Sequence, residues 1–144
     1  MKLNDDDLRN MHWRDRYEYE AKRELETLSD LTEEQLLERI KNRRLGNYFA
    51  IWRTIARKGT INNSAMILWD FLQGSPGEAN MLHRYHCADA LFKILGMDDP
   101  ASQSELRRAV QWDHHGEEAR QLALLQLKAV IQEQLSENQN GISE

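Results

Sequence analysis

Two groups of side chains in this sequence have the chemistry of metal binding or proton transfer. His83, His86 and Cys87 lie at positions i, i+3 and i+4 of one predicted helix, so their side chains share a face. Zinc accepts imidazole and thiolate ligands of this kind. The sequence nevertheless contains no CxxC or HExxH ligand pair. We therefore favour a buried thiol beside a core or boundary histidine, and we expect no metal and no other cofactor.

The second group is the run Trp112-Asp113-His114-His115-Gly116. Two adjacent imidazoles and a carboxylate in a loop have the chemistry of proton transfer near neutral pH. No serine or second cysteine stands nearby in a recognisable nucleophile arrangement. We interpret the run as a solvated corner in which Asp113 caps the turn and Trp112 packs, and we expect no catalytic residue. A metal or enzyme site built from His83, His86 and the pair His114-His115 stays open as an alternative.

A basic segment occupies the middle of the chain. Residues 1–38 carry 6 Lys/Arg and 12 Asp/Glu, whereas residues 39–69 carry seven basic residues and no acidic one. The seven are Arg39, Lys41, Arg43, Arg44, Arg53, Arg57 and Lys58. Aromatic residues are interleaved with them, a combination that suits phosphate contacts and base stacking. The segment either meets an anionic partner or is neutralised by the acidic N-terminal helix, and the overall pI of 5.6 argues against a dedicated nucleic-acid binder.

Cysteine content and hydropathy indicate the compartment. Cys87 is the only cysteine and cannot close an intramolecular disulfide, and the acidic start lacks the apolar core of a secretory signal. The longest uninterrupted apolar stretch, 65–69, is far shorter than the roughly 20 residues that span a bilayer. The sequence therefore predicts a cytoplasmic protein without a membrane segment.

The elements that position these residues are all predicted to be helices. Asn4 and three aspartates begin a long helix at about 5–28, and Thr32-Glu33-Glu34-Gln35 has the spacing of a capping box that begins a second helix. Asn47 is predicted to cap a third helix over 48–58. Further helices are predicted over 65–73, 81–95, 102 or 104 to about 112, and 117–135. No strand is predicted, so the chain is expected to be one all-α domain over 1–135 with a flexible tail at 136–144.

The helix around Cys87 also resembles a repeat unit. The segment 84–91, followed by 93–96, resembles the second helix of a HEAT-like repeat of the kind found in phycobilin-lyase-type proteins. Five positions recur 36 residues later: Arg84 with Arg120, Cys87 with Ala123, Ala88 with Leu124, Leu91 with Leu127, and Ile94 with Val130. This resemblance implies a short solenoid of about three stacked helical hairpins over 33–135, with the N-terminal helix covering one end. An irregular helical bundle is the alternative.

A stack of helical hairpins presents a surface for recognition, so we expect a non-catalytic protein–protein interaction module of bacterial origin. Its concrete version is an immunity-type inhibitor that neutralises a basic toxin through its acidic ends. The expected contact residues are Arg53, His83, Arg84, His86, Asp113, His114 and Arg120. The alternative is a helical repeat protein that binds nucleic acid through the basic segment 39–58.

Overall fold

The computed structural model describes residues 3–97, 104–111 and 116–142 of the chain. That part contains helices and no strand, so the fold is all-α as predicted. The α-helices are α1 (Asp5–Asn10), α2 (Trp13–Ser29), α3 (Glu33–Lys41), α4 (Ala50–Lys58), α5 (Met66–Gln73), α6 (Met81–Ile94), α7 (Ser104–Gln111) and α8 (Glu117–Ile142). A π-helical turn, Ile61–Ala65, precedes α5, and a 3-10 turn, Glu78–Asn80, precedes α6.

The prediction of one long helix over 5–28 is wrong, because the helix is interrupted at residues 11 and 12. Asn4 caps α1 as predicted and forms a capping box with Asp7, but Met11 adopts an extended backbone that ends this helix. His12 then caps α2, since its Nδ1 accepts a hydrogen bond from the Arg14 amide at 3.2 Å. No sequence signal marks this break, because histidine is not among the residues that usually cap helices.

The start of α3 follows the prediction. Thr32 and Gln35 form a reciprocal capping box, in which each side chain accepts a hydrogen bond from the other residue's amide. The apolar stripe Leu36, Leu37 and Ile40 is buried in the core. Local sequence is sufficient here because the cap and the stripe lie within one helix.

Helix α4 starts later than predicted and takes its cap from another helix. It begins at Ala50, and Asn47 does not cap it. Instead, the Glu24 carboxylate of α2 accepts hydrogen bonds from the amides of Asn47, Tyr48 and Ala50 at 2.7, 2.9 and 3.3 Å. Gly46 permits this approach, since a Cβ atom there would lie 2.2 Å from Glu24 Oε1. A carboxylate distant in sequence therefore satisfies the free amides at this helix start.

The last helix is longer than predicted. Helix α8 continues past Leu135 to Ile142, so most of the segment expected to be a flexible tail is helical. The Gln134 side chain donates to the Leu95 carbonyl at 3.0 Å, and Asn138 donates to the Asn62 side chain at 3.4 Å. These hydrogen bonds join the end of α8 to the residue after α6 and to the π-helical turn before α5. The local sequence does not reveal such contacts.

The core is formed by several pairs of packed helices. Helices α4 and α6 run parallel, because the start of α4 at Phe49 contacts His83 and its end at Gly59 approaches Ile94. Helix α7 packs on both α6 and α8, and α8 also packs on α5, where Trp69 Nε1 donates to the Leu124 carbonyl at 2.8 Å. One continuous core joins these helices, and Trp52 is its largest fully buried side chain. In the described part of the chain no helix has the length and apolarity needed to span a membrane.

Candidate functional site

The parallel helices α4 and α6 bring three of the predicted contact residues together. We define the α4–α6 face as the side chains of Phe49, Arg53, Leu82, His83, Tyr85 and His86. Phe49 precedes α4 and Arg53 projects from its exposed side, while the other four residues lie in the first two turns of α6. The parallel packing places the starts of both helices at the same end of the molecule, so residues more than 30 positions apart meet there.

A hydrogen bond from the core fixes the protonation of His83. Trp52 Nε1 donates to His83 Nδ1 at 3.1 Å. An indole N–H is only a donor, so Nδ1 of this imidazole carries no proton and the neutral ring holds its proton on Nε2. Trp52 is buried and His83 is half-buried, so the core side of the ring accepts a hydrogen bond while the other side has a donor.

Phe49 links the two histidines. Its ring centre lies 4.7 Å from that of His86, which stacks on it, and 4.8 Å from that of His83, which is tilted. The Phe49 backbone has a φ of 60°, a left-handed conformation that is uncommon for a residue with a large side chain. This conformation places the ring between the imidazoles just before α4 begins. The sequence indicated only core packing or base stacking for this aromatic residue.

Cationic side chains surround the imidazole pair. Burial lowers the pKa of His83, and the nearby His86 and Arg43 lower it further, whereas Glu24 acts in the opposite direction. Burial also lowers the pKa of His86, and Arg53 contributes to that shift. Both imidazoles are therefore held more strongly in the neutral form than a solvated histidine, in a region of positive potential.

Two large apolar side chains beside the histidines are exposed. Leu82 is 53% exposed and Tyr85 is 37% exposed. They lie at i and i+3 of α6, and Leu82 is also one turn before His86, so the three side chains are neighbours on the helix surface. Sequence reasoning missed both residues. The available signal was that they lie outside the apolar stripe formed by Cys87, Ala88 and their neighbours.

Arg84 and Arg120 were predicted as contact residues, and the structure corrects this, because both are 0% exposed. Arg84 Nη1 donates to the carbonyls of Ser75 and Gly77 at 2.8 and 2.5 Å. Arg120 Nη1 donates to the Leu72 carbonyl at 2.7 Å. Each arginine is the fourth residue of its helix, and each binds backbone oxygens at the end of α5 or in the turn that follows. A partner protein cannot reach them in this conformation.

Arg43 completes this region, which we call the arginine-capped turn, residues 72–77 with Arg43, Arg84 and Arg120. Arg43 Nη2 donates to the Gly74 carbonyl at 3.0 Å and to Ser75 Oγ at 2.9 Å, and its guanidinium lies over the Phe71 ring. The predicted turn 74–77 is therefore present, and guanidinium groups satisfy the free carbonyls that follow α5.

Glu117 balances part of this positive charge. Its carboxylate accepts hydrogen bonds from Arg120 Nε and Nη2 at 2.9 and 2.6 Å. The Arg120 hydrogen bonds are the main cause that lowers the pKa of Glu117 to about 2, with further contributions from Gln121 and from the charge of Arg84. The two buried arginines thus share one electrostatic environment.

Cys87 does not take part in a cluster of ligands. Its thiol is fully buried and donates to the Leu68 carbonyl at 3.5 Å, and burial raises its pKa well above the ordinary value. The described residues contain no group of three or more His, Cys, Asp or Glu side chains arranged to hold a metal ion. The position next to His86 in sequence is therefore a core position, as expected for the small-residue site of the helix.

Most side chains of the basic segment are exposed, although Arg43 and Arg57 also donate hydrogen bonds to other parts of the chain. Lys41, Arg43, Arg44, Arg53 and Arg57 are exposed, and Arg39 and Lys58 are partly buried. Lys58 Nζ donates to the carbonyls of Ser29 and Leu31 at the end of α2. None of the seven forms an ion pair with another described residue. Within the described residues α2 forms no ion pair with the seven, and its Glu24 carboxylate binds backbone amides instead.

Asp113 and His114, together with Trp112 and His115, lie outside the described residues. Nothing follows about their positions, and they stay sequence predictions. Four surface grooves of about 230 to 460 Å³ lie elsewhere on the described part of the chain. Three are lined by residues of α3, and the fourth lies between α1 and α2. His83 and His86 line none of these four grooves.

The matched positions of α6 and α8 have the same degree of burial. In each of the five residue pairs of the predicted repeat, the two residues have the same burial: the first four pairs are buried and the fifth is partly buried.

We also compared the chain with protein-family models, curated proteins and solved structures, and none of these comparisons found a match.

Proposed function

We propose that this chain is a non-catalytic protein–protein interaction module that binds its partner through the α4–α6 face. The observation that supports this most strongly is the composition of the face, in which exposed Leu82 and Tyr85 lie beside Arg53 and the half-buried histidines. Tyrosine and arginine are enriched at the centres of protein interfaces, where they contribute much of the binding energy. An open face with aromatic, apolar and arginine side chains suits docking better than it suits an enclosed reaction.

The test compares two exposed leucines on different helices. Leu82→Ser removes an apolar contact from the α4–α6 face, whereas Leu122→Ser changes a leucine of α8 that is 59% exposed. Purified wild-type and variant proteins are incubated with nuclease-treated lysate, and retained proteins are quantified by mass spectrometry. We expect one protein whose retention falls in Leu82→Ser and persists in Leu122→Ser. Equal retention by both variants, or no retained protein, contradicts the proposal.

We also propose that the helices form a short HEAT-like stack of hairpins. The equal burial of matched positions in α6 and α8 and the parallel course of α4 and α6 support this interpretation. The packing of α8 on α5 is a departure from a regular stack. In a stack with contacts only between neighbours, the terminal hairpins open before the middle one. Hydrogen exchange that instead protects all hairpins equally argues for an irregular bundle.

A specific version of the interaction function is an immunity-type inhibitor in a bacterial cytoplasm. The exposed carboxylates of α1 and of the outer sides of α2 and α3 support it, because they would attract a basic effector at low salt. The test mixes the purified protein with the product of an adjacent toxin-like gene. Complex formation that weakens as salt increases is the expected result, and the absence of a complex at low salt rejects this version.

The second candidate is nucleic-acid binding by the basic segment, which is favoured by the exposure of five of its side chains without ion pairs to described residues. Arg43 is a poor test residue because it also holds the arginine-capped turn. Arg44→Glu with Arg57→Glu removes two exposed cations instead. Binding to DNA or RNA that decreases steeply with salt and is lost in this double variant favours the second candidate.

A further inference from the structure

We propose that the α4–α6 face binds an acidic side chain of the partner protein, whose carboxylate accepts a hydrogen bond from His83 Nε2 in a positive field to which Arg53 contributes. This inference rests on the proposed interaction function and names the chemistry that the partner must present. It follows from the direction of the His83 donor, from the charges around it, and from the way Phe49 is covered.

The His83 donor is directed away from the core. Because Trp52 Nε1 donates to Nδ1, the proton of the neutral ring is on Nε2, on the opposite side of the imidazole. Nε2 forms no hydrogen bond with any described residue. The core thus fixes a single tautomer and aligns an N–H group that is ready to bind an acceptor. Preorganisation of this kind lowers the cost of binding, since the donor needs no reorientation.

The charges around this donor favour an anionic acceptor. The cations are the two arginines: Arg43 acts on His83, and Arg53 acts on His86, which is itself held in the neutral form. The acidic group that also acts on His83 is Glu24, whose carboxylate is already held by three backbone amides at the start of α4. The positive potential therefore remains available to a ligand. A carboxylate is favoured there over a neutral amide, because hydrogen bonds to charged groups are roughly twice as strong.

Phe49 indicates a protein acid rather than a nucleic-acid phosphate. His86 stacks on its ring at an interplanar angle of 25°, and His83 contacts it from another side. A nucleic base therefore has little access to the ring faces, and stacking on aromatic side chains is a main source of affinity for single strands. Leu82 and Tyr85 are exposed next to this site. They suit the apolar neighbours of an acidic residue in a protein segment.

The test uses a short poly-L-glutamate peptide as the probe and records the imidazole nitrogen signals of His83 and His86 by NMR. We expect saturable shifts of both side chains, with the His83 Nδ1 signal remaining that of an acceptor. Arg53→Gln and His83→Asn are each expected to weaken binding about tenfold, because each removes one charged or directed donor.

Two features of the design separate binding from folding. In His83→Asn the side-chain oxygen takes the place of Nδ1, so Trp52 keeps an acceptor while the outward donor is lost. Its indole N–H signal reports directly whether this contact survives. Arg57→Gln is the matched control, since Arg57 is exposed on α4 one turn after Arg53 and is not part of the face. It is expected to change the affinity by less than about twofold.

Three results overturn the inference. These are unchanged imidazole signals, equal loss of binding in Arg57→Gln, and tighter binding of oligothymidylate than of polyglutamate at the same imidazoles. The docking proposal is tested separately by Leu82→Ser in the retention experiment. If that variant loses the partner while polyglutamate leaves the imidazoles unchanged, the interaction surface stands and the carboxylate inference is wrong. If polyglutamate binds and no partner depends on Leu82, the proposed function is wrong.

Discussion

Arginines have opposite roles in two regions that both include residues of α6. In the arginine-capped turn, Arg84 is fully buried and its guanidinium binds backbone carbonyls. On the α4–α6 face, the exposed Arg53 lies beside His86. His86 is only two residues after Arg84 in the sequence. The comparison shows that residue type and position in the chain do not separate a structural cation from an available one. What separates them is whether a helix end presents unsatisfied carbonyls to that side chain.

The largest expected effect comes from removing a buried guanidinium. Arg120→Met leaves the Leu72 carbonyl without this donor and Glu117 without its ion pair. We expect the free energy of unfolding to fall by about 3 kcal/mol, because a buried carbonyl loses a charged donor, whereas Glu117 is about half exposed and is left to solvent. Urea unfolding followed by circular dichroism measures the change. Arg53→Met is the matched control and should stay within about 0.5 kcal/mol, because an exposed side chain is replaced. Similar losses in both variants would remove the distinction between the two regions.

The start of α4, which carries the α4–α6 face, is expected to depend on Glu24. Glu24→Ala removes the acceptor of three amides in residues 47–50. The loss of a helix cap costs about 1 to 2 kcal/mol, and urea unfolding measures it. Glu26→Ala on the same helix is the control, because Glu26 is exposed and no hydrogen bond to it is formed by a described residue. An equally small effect in both variants would show that α4 starts without help from α2.

Replacing His83 in two ways measures the contribution of its hydrogen bond with Trp52. His83→Phe keeps a ring but leaves the buried indole N–H without an acceptor, which costs about 1 to 3 kcal/mol. His83→Asn keeps an acceptor and should be the more stable of the two. Thermal unfolding of both variants gives the order directly, and the reverse order would mean that this hydrogen bond contributes nothing to the fold.

The two regions should lose stability in different pH ranges. The pKa values of His83 and His86 are lowered in the folded state, so the unfolded chain binds more protons just below the ordinary value of 6.5. The histidine contribution is therefore complete above that value and is lost as the pH falls through the folded pKa values. Glu117, with a pKa of about 2 instead of 4.5, contributes stability that is lost only between those two values.

Urea midpoints measured as a function of pH test this separation. His83→Asn combined with His86→Asn should flatten the change near neutral pH and leave the acidic change in place. Glu117→Gln should do the opposite, since only the acidic range depends on that carboxylate. This is the smallest of the expected effects, because the groups are partly exposed and solvent screens their interactions. A single transition that both sets of substitutions flatten equally would show that the two regions titrate together.

Local sequence determined the helical class, the capping residues of α1 and α3, and the burial of the α3 stripe and of Cys87. These features depend on side chains within a few residues of one another, where spacing alone fixes which groups meet. The same reasoning failed at Met11, where the cap of α2 is a histidine and not one of the usual capping residues. It also failed at Asn47 and beyond Leu135, because Glu24 and α8 form hydrogen bonds with residues distant in sequence. Arg84 and Arg120 were misplaced for the same reason. Their burial depends on carbonyls of α5 and its turn, 7 to 48 residues away.

The residues of the candidate site could be predicted in part from the sequence, but their arrangement could not. His83, His86 and Arg53 could be selected because imidazole and guanidinium groups are the side chains that bind and exchange protons or anions at neutral pH. That they meet around Phe49, and that Trp52 fixes the proton on one nitrogen of His83, was decided by the parallel packing of α4 on α6. A sequence specifies which groups are available, but the distances between groups 30 residues apart exist only after the core has brought their helices together.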